Sequence, residues 1–222
     1  MGNSSTLYIL FVLLIVCVQF GNTQVLIDAS KAAYLEKDRY KDIKESPYYF
    51  KDWMEVKIID ENNDIIEGVI ANHNCYTGEI EIKKDGREIE LDHGGISSVK
   101  FDTKDGVVEF VPSPSKKLNA TFVVSHYQGN RFDLFELKHA TISEVVFQDV
   151  GKTRTINRFS KKTNYFLRDD ASFDLLKLKK KDFIKAIGGD KDLEKHIKKE
   201  KIKMKKIADY VTVLRHWEEM ME

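Results

Sequence analysis

Glu79-Ile-Glu-Ile-Lys-Lys-Asp-Gly-Arg-Glu-Ile-Glu-Leu91 is the stretch that decides the fold. Apolar and charged residues alternate on both sides of Asp85-Gly86. A period of two sends one set of side chains to each face of a strand, so Ile80, Ile82, Ile89 and Leu91 point to a core and their neighbours to water. Asp-Gly suits a type I′ turn, whose two central residues both need positive φ. The stretch predicts a β-hairpin with one buried face.

The same signature extends outward from Trp53 to Phe147. Short β-branched and aromatic runs predict strands near 54–60, 65–71, 79–84, 87–92, 97–101, 107–111, 121–127, 132–138 and 142–148. Asp105-Gly106 and Gly129-Asn130 mark further turns, and Pro112-Ser-Pro114 a break in the sheet. Residues 148–162 are basic and poorly periodic, which predicts a long loop. Residues 163–167 and 173–176 then read as a last hairpin. The period changes to a helical one after residue 177. Phe183, Ile184 and Ile187 mark a short helix ended by Gly188-Gly189, and Asp190 caps a second helix carrying Leu193 and Ile197. Ile207, Tyr210, Val211, Leu214 and Trp217 mark a third. The expected fold is mainly β (α+β): an antiparallel meander over 46–176, as an open sheet or a partly closed barrel. Residues 177–222 form a helical cap packed on it.

Ahead of the sheet, residues 24–45 form a lead-in, with Ala29–Ile43 either helical or extended. Pro47 disfavours the helical region for Ser46, so the chain should arrive extended. Tyr48, Tyr49, Phe50 and Trp53 then read as an aromatic plug over one end of the core. Leu7–Phe20 is an apolar run too short to span a bilayer as a helix, and it fits the core of a secretory signal cleaved near Thr23/Gln24. Met1–Thr6 contains no Lys or Arg, so the alternative is an uncleaved membrane anchor. The expected location is periplasmic or secreted. Cleavage leaves Cys75 as the sole cysteine, so stability must come from burial and not from a disulfide.

Ser46-Pro47-Tyr48 through Trp53, Tyr76-Thr-Gly-Glu79-Ile-Glu, and Asn157-Arg-Phe159 through Tyr165-Phe166-Leu167 resemble a family of uncharacterised exported Bacteroidetes proteins. Lys180-Lys-Asp-Phe-Ile, the Ile197–Lys206 lysine run and the closing helix resemble it too. The resemblance implies an envelope or secreted location. It carries no assigned activity and therefore no site residues.

The charge balance excludes a global field for nucleic acid or anionic lipid, because 36 basic residues meet 36 acidic ones. Gln24–Val111 nevertheless holds 12 basic and 20 acidic residues, and Leu176–Glu222 holds 14 and 9. Lys180, Lys181, Lys198, Lys199 and Lys205 are therefore candidates for contact with an acidic partner. His73, Cys75 and His93 are the nameable metal ligands, but a zinc site needs three or four converging donors. The alternative is a buried thiol beside two exposed turn histidines. Asp60–Asp64 starts like a calcium loop but has Ile65 and Ala71 where Gly and Glu are required. Ser125-His126 cannot be a dyad, since strand neighbours face opposite ways. With no catalytic set and no implied cofactor, the expectation is a non-enzymatic envelope module. It would bind an envelope protein, polymer or small ligand, without nucleic acid and without a membrane span after cleavage. The alternatives are a hydrophobic-ligand carrier in a β-barrel and an unrecognised metal-dependent enzyme.

Overall fold

The computed structural model describes residues 35–221, apart from residues 37 and 150. The apolar run read as a targeting segment, and most of the lead-in, lie outside the described residues. The quoted stretch folds as β4 (Glu79–Lys84) and β5 (Arg87–Glu90), paired antiparallel. Asp85 at φ 51° and Gly86 at φ 73° make the turn between them, as the Asp-Gly signal requires.

Eleven strands form one open sheet. The short β1 (Ile43–Lys44) is followed by β2 (Met54–Asp60) and β3 (Ile65–Asn74), which lead into β4 and β5. The chain continues through β6 (Ile96–Thr103), β7 (Gly106–Pro112), β8 (Phe122–Gln128), β9 (Asp133–Asp149), β10 (Lys152–Arg168) and β11 (Phe173–Leu176). The pairing is antiparallel except between β1 and β10. Two runs of successive hairpins, β2 to β5 and β6 to β10, share the sheet. After β5 the chain returns to lay β6 against the outer side of β2.

The sheet bends over itself without closing. Gly78 O, in the β3–β4 turn, accepts from Thr121 and Phe122 N–H at 3.1 and 3.2 Å, and Cys75 O accepts from Ala140 N–H at 2.8 Å. These bonds join β3 to β8 and β9, although β2, β6 and β7 lie between them in strand order. Val56, Ile58, Ile80, Ile82, Val99, Phe101 and Phe110 are buried. The aromatic lead-in plugs this core as its composition predicts, with Phe50 4.7 Å from Phe101 and Tyr49 5.3 Å from Phe110, centroid to centroid. Residues 38–42 are turns leading into β1, so the described part of the lead-in is not helical.

The structure corrects the reading of residues 132–162. Instead of two strands and a loop, β9 and β10 form one unbroken hairpin of 17 residues on each side, paired from Asp133↔Arg168 to Asp149↔Lys152. The predicted last hairpin is present as the end of β10 with β11.

Helices α1 (Lys180–Ala186), α2 (Lys191–Lys199) and α3 (Ile207–Met221) follow the predicted pattern. Asp190 caps α2 by accepting from Asp192 and Leu193 N–H at 2.8 and 3.0 Å. Phe183, Ile184, Leu193, Ile197, Tyr210, Val213 and Leu214 pack with Phe132 of the β8–β9 turn and with Leu134, Leu167 and Leu176 of the sheet. The Trp217 indole donates to Ile187 O at 2.9 Å, tying α3 to the end of α1. None of these helices is long and apolar enough to cross a membrane.

Candidate binding face on the long hairpin

Strand alternation sorts the long hairpin into two faces. One face carries Glu136, Lys138, Ala140, Ile142, Glu144 and Val146 from β9. Opposite them on β10 stand Tyr165, Asn164's neighbour Thr163, and then Lys161, Phe159, Asn157 and Thr155. The root of this face is covered. Cys75, Ala140 and Phe159 form a small core with Tyr40, Ile43 and Tyr49. The Lys138 ammonium sits 3.5 Å from the centre of the Tyr49 ring.

Glu136 organises the polar part of the root. It accepts from Tyr49 Oη at 2.9 Å and lies 3.0 Å from His126 Nε2. A bulge between Ser125 and Tyr127 is what places His126 there. Burial alone would push the Glu136 carboxyl up, but His126, the Tyr49 hydroxyl and Lys138 outweigh it and hold it below the ordinary carboxylate range. Burial, and then the Glu136 charge, push the Tyr165 phenol up to about 12. These groups form a fixed hydrogen-bonded set without a nucleophile of lowered pKa. Sequence reasoning missed it because His126 and Glu136 lie ten residues apart across a turn.

A second buried carboxylate anchors the lead-in. Glu81 is 0% exposed and accepts from Tyr48 Oη at 2.9 Å, Asn74 Nδ2 at 2.7 Å and the Arg39 guanidinium. In the quoted stretch Glu81 stands at a position that alternation assigns to solvent. The described lead-in covers it instead.

Of the sequence candidates, His73 and Cys75 do come together, with Nδ1 and Sγ 3.8 Å apart. His73 is not an exposed turn residue: it is 1% exposed, at the buried end of β3, and stacks on Phe110. Burial lowers its pKa to about 4 and pushes the Cys75 thiol up to about 11. His93 is exposed on the β5–β6 loop, against the edge of Phe122. Among the described residues no group of three or more His, Cys, Asp or Glu could hold a metal ion. Asp60 spends its carboxylate on its own turn, accepting from Asn62 and Asp64 N–H at 2.8 Å each. Lys180 and Lys181 open α1, Lys198 and Lys199 end α2, and Lys205 precedes α3. All five are exposed, and they are spread over two helices and the loop before the third.

Toward its tip the long hairpin has no covering strand or helix among the described residues. Its last lateral partner is β1, which pairs with Asn157 and Arg158 of β10. From Val145 to Ile156 no third strand flanks it among the described residues. At about 3.3 Å per residue this leaves an arm of roughly 17 Å. Val146 is 60% and Phe147 48% exposed, on opposite faces, and Ile142 is also exposed. Arg154 stands across from Phe147, and Arg158, Lys161 and Lys162 lie further down β10. Comparison with family models, curated proteins and solved structures finds no match.

Proposed function

We propose that the chain is an exported, non-enzymatic binding module that holds an envelope protein with the β9–β10 arm. The observation that carries this reading is the arm itself. A two-stranded ribbon without a covering layer has little stability of its own, and natural proteins blunt such edges or cover them. Among the described residues β9 is unpaired on its outer side after the Ala140 contact, and apolar side chains stand exposed on both faces. A partner that adds a strand to this edge would satisfy its backbone groups and bury Val146 and Phe147. Arg154 and the other cations of β10 suit a partner with acidic residues beside that strand. Export is read from Leu7–Phe20, and the resemblance to exported Bacteroidetes proteins agrees with it.

The barrel-carrier alternative loses its premise, since the sheet is open. Immobilised protein, incubated with envelope extract, tests the proposal against a Val146→Ser/Phe147→Ser double variant. The expected result is a protein retained by the parent and lost from the variant, with direct binding reproduced once that protein is purified. Equal retention by the variant would overturn the proposal.

A further inference from the structure

A cleft of about 610 Å³ opens where the aromatic lead-in crosses the root of the arm. The half-buried Tyr48 and Tyr49 contribute its aromatic surface beside the buried Phe159, and Ser46 and Ser160 add hydroxyls. Lys51, Arg158 and Lys161 bring three cations to it, against a single carboxylate, Glu45. Among the described residues no carboxylate lies in ion-pair contact with Lys51 or Arg158, both of which are exposed. Lys161 already donates to Tyr48 O, so its charge is fixed at the rim. The Tyr49 hydroxyl is held by Glu136, which fixes that ring in turn. The volume falls within the range of small-molecule sites, and Tyr49 and Lys161 are held in place before any ligand binds.

From this juxtaposition of cations, hydroxyls and fixed aromatic rings, we infer that the cleft binds an anionic saccharide, a sugar ring bearing a carboxylate or phosphate. Arg158, on the face of β10 opposite Phe159 and Lys161, borders the cleft at the strand edge where β1 ends. It supplies the planar fork that a carboxylate or phosphate accepts in bidentate fashion. The tyrosines offer apolar area to the ring, and the serines offer partners to its hydroxyls. Glu45 stands against the ligand's charge and limits affinity. The inference is independent of the arm tip, because none of the cleft's walls comes from residues 145–156.

Titration of the full chain with glucuronate, followed by amide NMR, tests it. The expected result is saturable shifts at Tyr48, Tyr49 and Phe159. Arg158→Gln should weaken binding by about tenfold or more, the size of one lost charge-assisted contact. Glu45→Gln should tighten it. Both side chains are exposed, and unchanged spectra elsewhere would show that the variants fold. Glucose and inorganic phosphate should each bind far more weakly than glucuronate. A hyaluronan hexasaccharide, carrying the same ring in a chain, should bind tighter if the natural source is a polymer and no tighter if it is a free sugar; either result keeps the site. No saturable glucuronate binding, undiminished binding in Arg158→Gln, or phosphate binding as tightly as glucuronate would overturn it.

Discussion

Glu218 lies in the last turn of α3, where a helix end disfavours negative charge. Its position is explained by what it holds. The carboxylate accepts from Tyr127 Oη at 2.8 Å and from the backbone N–H groups of Asn130, Arg131 and Phe132 at 3.1, 2.9 and 2.7 Å. It thereby clamps the β8–β9 turn to the helical cap, at 8% exposure. Glu218→Ala would leave these donors without their acceptor. Water can reach the exposed Asn130 and Arg131, so the cost concentrates on the buried Phe132 N–H and the half-buried tyrosine. One orphaned buried donor costs about 1–3 kcal/mol, and a lost charge-assisted bond a similar amount. The expected destabilisation is about 3 kcal/mol, or a fall in Tm of roughly 6–12 °C for a domain of this size. Glu218→Gln keeps one acceptor and should lose about half as much.

Burial pushes the Glu218 carboxyl up, but the backbone donors and the Tyr127 hydroxyl outweigh it, and its folded pKa lies below the ordinary value. The unfolded chain, with a carboxyl near pH 4.3, then binds the proton more readily than the folded one. The stabilisation is therefore complete above that pH and is lost as pH falls through the folded pKa. Urea melts from pH 7 down to about pH 3 should show the gap between parent and Glu218→Gln narrowing below about pH 4. A variant within about 0.5 kcal/mol of the parent at pH 7, the range of ordinary surface substitutions, would refute the clamp.

Other predictions address neighbouring features. Gly129→Ala would place a methyl group 2.3 Å from Glu218 Oε2 and 2.6 Å from the Tyr127 ring, so it should destabilise by about 1–3 kcal/mol in the same melts. Combined with Glu218→Ala it should cost less than the sum of the two. Glu81→Ala strands the Arg39 charge and should cost about 3–5 kcal/mol, with faster proteolysis of the lead-in. Cys75 should be inert to iodoacetamide at pH 8 in the folded protein and react on unfolding, since its thiol is buried with a pKa pushed up to about 11. Native modification at the rate of a free thiol would contradict that.

The hairpins of the central sheet were legible because one face of each strand is buried and the other wet. Val56, Ile58, Ile80, Ile82 and Ile89 alternate with charged residues, and the two Asp-Gly turns fall between strands. The signal failed on the long hairpin because no buried face runs its whole length. Asp133–Leu137, buried on both faces, still reads as a short strand, whereas Thr153–Arg158 is largely exposed and reads as a loop. The return of β6 to β2 was equally hidden, since the Leu91–Gly95 connection does not say which edge the next strand joins. The carboxylates that organise the interior, Glu81, Glu136 and Glu218, carry no mark in the sequence. Each sits where a pattern of two or of three and four allows a solvent-facing acid, and a remote segment then covers it.

Hydrogen exchange across residues 145–156 tests the central claim most directly, with the free protein compared to the protein in envelope extract. The account predicts rapid exchange of the outward amides of β9 in the free chain and marked protection there in the extract. Protection that leaves the arm unchanged and falls instead on the helices bearing Lys180, Lys198 and Lys205 would contradict it.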